Sequence, residues 1–174
     1  MPASSLPFDL VRKAAGCASR AHEGRFREDG TPFAVHPIRV CLILRQLFEI
    51  DDPAALCAAL LHDVMEKGGI DYDELLEDFG EEVADLVAGM TKDFRLRETD
   101  REMEFGIRLK GGSWKMKAIK LADAYDNLSD GKPGSLQKAE MVVACAKSED
   151  RLTKAVGILE ELIASAAPPN LDEG

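Results

Sequence analysis

The stretch AALCAALLHDVME, residues 54–66, constrains the fold more than any other. Read as a helix it is apolar on nearly every side, and such a helix is stable only when other elements surround it. It is therefore expected at the centre of the domain. Asp52 followed by Pro53 supplies its N-cap and first turn, and Gly68 with Gly69 ends it.

The rest of the chain supplies the surrounding layer. Apolar residues recur at helical spacing in roughly 9–24, where Val11, Ala14, Ala15 and Ala18 lead up to His22. Residues 25–35, RFREDGTPFAV, read as a loop, and Pro37 suits the first turn of a second helix running to about Phe48. Asp71 and Glu74 form a capping box for a short helix ending at Gly80. Further helices are expected over Glu81 to Met90, near 98–109, over 114–128, near 135–147 and over 149–165. No alternating strand pattern, repeat or linker interrupts this series, so the expectation is an all-α single domain over 1–165 with a flexible tail over 166–174.

Composition narrows the function. The 174 residues are 45% hydrophobic and 31% charged, with a net charge of −10. That charge argues against a nucleic-acid partner, which usually meets a basic face. It leaves room for a phosphate-bearing small molecule, since a few cations or a metal make a pocket locally positive. There is no membrane-length apolar run, and MPASSLPFDL lacks the pattern of a signal peptide, so a cytoplasmic location is expected. Cys17, Cys41, Cys57 and Cys145 form no C-x-x-C pair and read as small buried residues of a reducing compartment.

Chemistry is suggested by the few residues that are costly where they stand. His62 and Asp63 are adjacent inside the most apolar helix, where a charged carboxylate needs a partner or a metal. His36 opens a helix straight after a loop, and Asp123 lies amid the apolar residues of IKLADAYDNL. Two imidazoles and two carboxylates suit Mn²⁺, Fe²⁺ or Zn²⁺. A set short of six protein ligands leaves positions for water and a substrate oxygen. Each of these residues also has a bland reading, as a satisfied core histidine or a cap. His22 is assigned to packing. Glu66 falls one turn after His62, where it can handle a proton, and Asn127 falls one turn after Asp123, where it can bind substrate. Arg25 and Arg27 sit on the loop before His36, where guanidinium forks can hold phosphate.

Three blocks, AHEGRFREDGTPFAVHPIRV, ALLHDVMEKGGIDYDELLEDFGEEVADLVAGMTK and IKLADAYDNL, together resemble the hydrolase domain of RelA/SpoT-type proteins over roughly residues 10–130. The length resembles that of the small alarmone hydrolases. The resemblance implies an HD-type helical domain with one divalent metal, commonly Mn²⁺, on His36, His62, Asp63 and Asp123. It implies hydrolysis of the 3′-pyrophosphate of ppGpp or pppGpp in the stringent response. Glu66 corresponds to the family's glutamate after the HD pair, Asn127 to its asparagine and Arg27 to the arginine of its R-K pair.

Four positions depart from the family pattern. Lys67 stands in place of an acid that is normally catalytic, Glu28 in place of a lysine, Phe33 in place of a tyrosine, and Asp126 in place of a tyrosine or histidine. The changes at Glu28 and Lys67 are opposite in sign, so the two read either as an exchange of charge within one pocket, placing the Lys67 cation nearer the metal as a substrate-binding group, or as independent surface changes. Other substrates fit the same residues: an adenosine alarmone or the 2′-phosphate of NADPH. A weakened HD domain that binds a nucleotide without turnover is the reading from outside the enzymes.

Overall fold

The computed structural model describes residues 7–166, and within them the regular elements are helices joined by loops. Its elements are α1 (Pro7–Ala21), α2 (Val35–Leu42), α3 (Pro53–Leu61), α4 (Tyr72–Phe79), α5 (Glu81–Met90), α6 (Glu98–Gly111), α7 (Trp114–Ser129), α8 (Ser135–Ala146) and α9 (Thr153–Ala166). A 3₁₀ turn over Asp150–Leu152 leads into α9. Among the described residues the extended structure amounts to one bridge, Phe26 to Pro32, in the loop before α2. Apart from Ala166 at the end of α9, the tail expected over 166–174 lies outside the described residues.

The apolar helix is central, as its composition requires. Every residue from Ala55 to Leu61 is buried, and α3 touches α1, α2, α5 and α7. Burying each large aliphatic side chain of this kind contributes about 1.5–3 kcal/mol, so α3 anchors the core. Asp52 caps α3, its side chain accepting from the Ala55 amide at 2.9 Å. The same carboxylate pairs with Lys115 at the start of α7 at 2.8 Å. Ten residues on from Asp52, His62 meets Asp123 of α7, so α3 and α7 run side by side in one direction. The capping box of α4 is also present, with reciprocal bonds of 2.9 and 3.0 Å between Asp71 and Glu74.

Two helices end in a way their apolar pattern does not announce. α2 passes into a π turn over Ile43–Leu47, and α3 is followed by another over Val64–Gly68. Such widened turns are uncommon and often mark functional positions. The second is fitted by glycine. A Cβ on Gly68 would lie 2.8 Å from the Ala21 side chain, and Gly69 takes a left-handed φ of 74°. No described helix is long and apolar enough to cross a membrane. All four cysteines are free, with Cys17 and Cys57 buried.

Candidate active site

His62 and Asp63 fall at the seam between α3 and its π turn. Neighbouring residues of a regular helix point about 100° apart and do not face one target. Here Asp63 stands between α3 and the π turn, its backbone opened to φ −104° and ψ −3° at the edge of the helical region. Its Oδ2 comes to 3.6 Å from Nε2 of His62. His36, in the first turn of α2, brings Nε2 to 4.0 Å from the same oxygen and to 3.1 Å from Oδ1 of Asp123 on α7. His62 Nε2 lies 3.8 Å from that Asp123 oxygen. All four side chains are buried, so three packed helices bring two imidazoles and two carboxylates to one corner.

Hydrogen bonds orient both rings. Nδ1 of His62 donates to the Ala59 carbonyl at 2.8 Å, which leaves Nε2 buried and without a hydrogen-bond partner. Nδ1 of His36 meets Oδ2 of Asp126 at 2.6 Å, turning its Nε2 into the corner. A buried nitrogen lone pair beside two carboxylates is the donor arrangement a divalent ion requires. His36, His62 and Asp123 can hold such an ion, with donor atoms all within 4.8 Å of one another.

The electrostatics agree. Burial opposes the charge of Asp63, yet His62 and Lys67 offset it and hold the carboxyl at about 2. Burial likewise opposes the charge of Asp123, and Lys120 with the two histidines pushes its carboxyl well below the usual range. Burial lowers His62, whereas for His36 the hydrogen bonds to Asp123 and Asp126 outweigh burial and raise it. The two carboxylates are thus ionised and ready for a cation.

The corner opens into a cavity of about 320 Å³ between α3, α5, α6, α7 and α8. Although the chain carries a net charge of −10, six basic side chains line this cavity: Lys67, Lys92, Arg101, Lys120, Lys132 and Lys138. Lys67 pairs with Asp63 at 2.8 Å and lies over the Phe33 ring. Lys120 pairs with Asp123, and Lys92 with Glu102 at 2.7 Å. Lys132 and Lys138 have no acidic partner among the described residues. Burial, reinforced by Arg27, lowers the Lys132 ammonium.

The other residues singled out from sequence are placed as follows. Glu66 lines the cavity, where Oε1 accepts from the Lys92 amide at 2.6 Å. Asn127 lines it too, donating to Asp123 Oδ1 at 2.7 Å and accepting from Arg27 at 3.2 Å. Arg27 is buried and turned into a cluster with Asp126, at 3.3 Å, and Asp130, at 3.1 Å, and is not among the cavity's lining residues. Arg25 is exposed, and so is Glu28, and neither lines the cavity. His22 is buried against Phe33, with ring centroids 4.8 Å apart and neither nitrogen hydrogen-bonded. Sequence reasoning missed Lys120, which stands three residues before Asp123 on the same helix face, a spacing that was there to be read. It also missed Lys132 and Lys138, whose entry into the cavity depends on how α8 returns across α7, which no local pattern encodes.

Comparison with known proteins defines the class. A family model described as HD domain matches residues 14–110, more than half of the chain, and the chain belongs to that family. Within it the chain groups with MESH1- and SpoT-type proteins. It is 38% identical over 123 residues to the guanosine-3′,5′-bis(diphosphate) 3′-pyrophosphohydrolase MESH1 of Danio rerio, covering 70% of this chain and 68% of that one. It is 34% identical over 125 residues to the enzyme of that name in Borreliella burgdorferi, with 68% of this chain covered. The chain spans only 18% of that longer relative. A solved structure of a metazoan SpoT ortholog that hydrolyzes ppGpp superposes with a TM-score of 0.82 at 27% identity, covering 93% of this chain and 98% of that one.

Proposed function

We propose that this chain is a metal-dependent phosphohydrolase that removes the 3′-pyrophosphate of ppGpp or pppGpp. The observation that carries the reading is the convergence of His36, His62, Asp63 and Asp123 on one corner of a cavity whose lining also carries six basic side chains. The names of its relatives supply the substrate class. His36, His62, Asp63 and Asp123 would hold the metal, a donor set that suits Mn²⁺, Fe²⁺ or Zn²⁺, with Mn²⁺ proposed from the resemblance to RelA/SpoT-type hydrolases. When bound, the ion supplies Lewis-acid activation of water and positive charge opposite phosphate.

The chain's own residues supply the rest. Glu66 is held through Oε1, which leaves Oε2 to take a proton from the attacking water. Water oxygen bonds to the phosphorus next to the 3′ oxygen. The bond from phosphorus to that oxygen breaks, the 3′ oxygen takes a proton, and pyrophosphate leaves with GDP or GTP. Asn127 orients the substrate from beside Asp123, and Lys67 offers an ammonium to the phosphate oxygens. Arg27, named with Arg25 for phosphate binding, acts through Asn127, which it holds in place. The expected setting is the cytoplasm, and the domain is taken to run over residues 1–165.

A panel of ppGpp, pppGpp, an adenosine alarmone and NADPH, incubated with the protein and Mn²⁺, tests this reading. Pyrophosphate and GDP or GTP in equal amounts are expected from the guanosine substrates. Inorganic phosphate from NADPH instead would move the substrate to the 2′-phosphate. Lys67, an ammonium on a metal-site carboxylate, favours a second reading in which the nucleotide binds without turnover. Tight binding of ppGpp with no product from any substrate would establish that reading and overturn the first.

A further inference from the structure

Asp126 has no role in the chemistry above, yet it is among the most heavily engaged side chains of the molecule. It is buried on α7 and one of its oxygens, Oδ2, lies 2.6 Å from Nδ1 of His36. Its other oxygen meets Nε of Arg39 at 2.6 Å, and Arg27 approaches Oδ2 at 3.3 Å. Both arginines continue to Asp130. A buried carboxylate flanked by two guanidinium groups stays ionised and can only accept hydrogen bonds. The proton between Asp126 and His36 therefore belongs to Nδ1, and Nε2, the nitrogen that faces Asp63 and Asp123, is the one left to a metal.

We propose that Asp126 is the positioning residue of the metal centre, fixing the tautomer and direction of His36, with Arg39 and Arg27 holding Asp126 from its other sides. A carboxylate on the outer nitrogen of a ligating imidazole also makes the inner nitrogen a stronger donor. The inference rests on the metal-site reading of the corner. It assigns a role to a position at which the RelA/SpoT-type pattern has tyrosine or histidine, so this chain holds its first histidine by a different device.

The test is calorimetric titration of the purified full-length protein with Mn²⁺, comparing wild type with Asp126→Asn and Arg39→Met. Both variants break the ion pair of Asp126 with Arg39, but only the first removes the negative acceptor from His36. Asp126→Asn is expected to weaken Mn²⁺ binding about 10- to 100-fold, and Arg39→Met far less. Equal losses in the two variants would show a structural cluster only and overturn the assignment, as would unchanged affinity in Asp126→Asn. Wild type that binds no Mn²⁺ would overturn the metal reading itself, a separate result. A second measurement serves if either variant folds poorly: imidazole ¹⁵N shifts of the Zn²⁺-loaded wild type. A protonated Nδ1 on His36 is expected, and a protonated Nε2 would refute the proposal.

Discussion

The cavity has two unlike walls. On the side of α2, α3 and α7 every charged group is committed: Asp63 to Lys67, Asp123 to Lys120, Asp126 to two arginines, and each histidine through Nδ1. On the side of α8 and the turn before it, Lys132 and Lys138 face the same space with no acidic partner among the described residues. Fixed groups cost no reorganisation when a reaction occurs, so the first wall suits chemistry. Cations without a partner lose no existing bond when an anion arrives, so the second suits binding.

The comparison breaks first if the committed wall is not the metal site. His62→Ala removes a proposed ligand, and both hydrolysis and Mn²⁺ binding should fall to background. Activity assay and metal titration on the same preparation check this, with circular dichroism showing that the helices persist.

A smaller effect should come from His22, the buried histidine just outside the committed wall. Burial lowers its imidazole to about 4, so it is neutral in the folded protein while the unfolded chain titrates near 6.5. The unfolded state then binds the extra proton between those values. Stability should be complete above about pH 6.5 and fall by roughly 3 kcal/mol as the pH approaches 4. His22→Leu should flatten that limb of a urea-denaturation series and leave Mn²⁺ affinity unchanged. A limb of equal depth in the variant would assign the acid sensitivity to other groups.

The binding wall is sharpened by Lys132→Ala and Lys138→Ala. Each is expected to raise KM for ppGpp about tenfold, the worth of one charge-assisted hydrogen bond, with kcat nearly unchanged. A fall in kcat with constant KM would place these lysines with the chemistry instead.

The smallest expected effect is the coupling between Glu28 and Lys67. Lys67 lines the cavity and Glu28 is exposed outside it, which favours independent changes over an exchange of charge. A double-mutant cycle of Glu28→Lys and Lys67→Asp, read in kcat/KM, should be additive within about 0.5 kcal/mol. Coupling well above that would restore the exchange.

Much of the committed wall was legible in the sequence because its residues are conspicuous where they stand. A histidine and an aspartate within AALCAALLHDVME need a reason, and the all-round apolar pattern also places α3 at the centre. Caps at Asp52 and Asp71 are local and were equally readable. The π turn after Asp63 was not, because shifting hydrogen bonds by one residue barely alters the apolar pattern. Arg27 was read as facing phosphate, whereas its direction is set by Asp126 and Asn127, about a hundred positions along the chain. Asp126 itself looked like a departure from a family pattern, and its partners His36 and Arg39 lie on another helix.

The pair of ties between α3 and α7 has a mechanical consequence. Asp52 pairs with Lys115 where the two helices begin, and a few turns later His62 packs 3.8 Å from Asp123. Two parallel rods held by an ion pair at one end and by close packing further along resist sliding past one another. Widening that admits a nucleotide is then expected at α6 and α8, which form the opposite lip of the cavity.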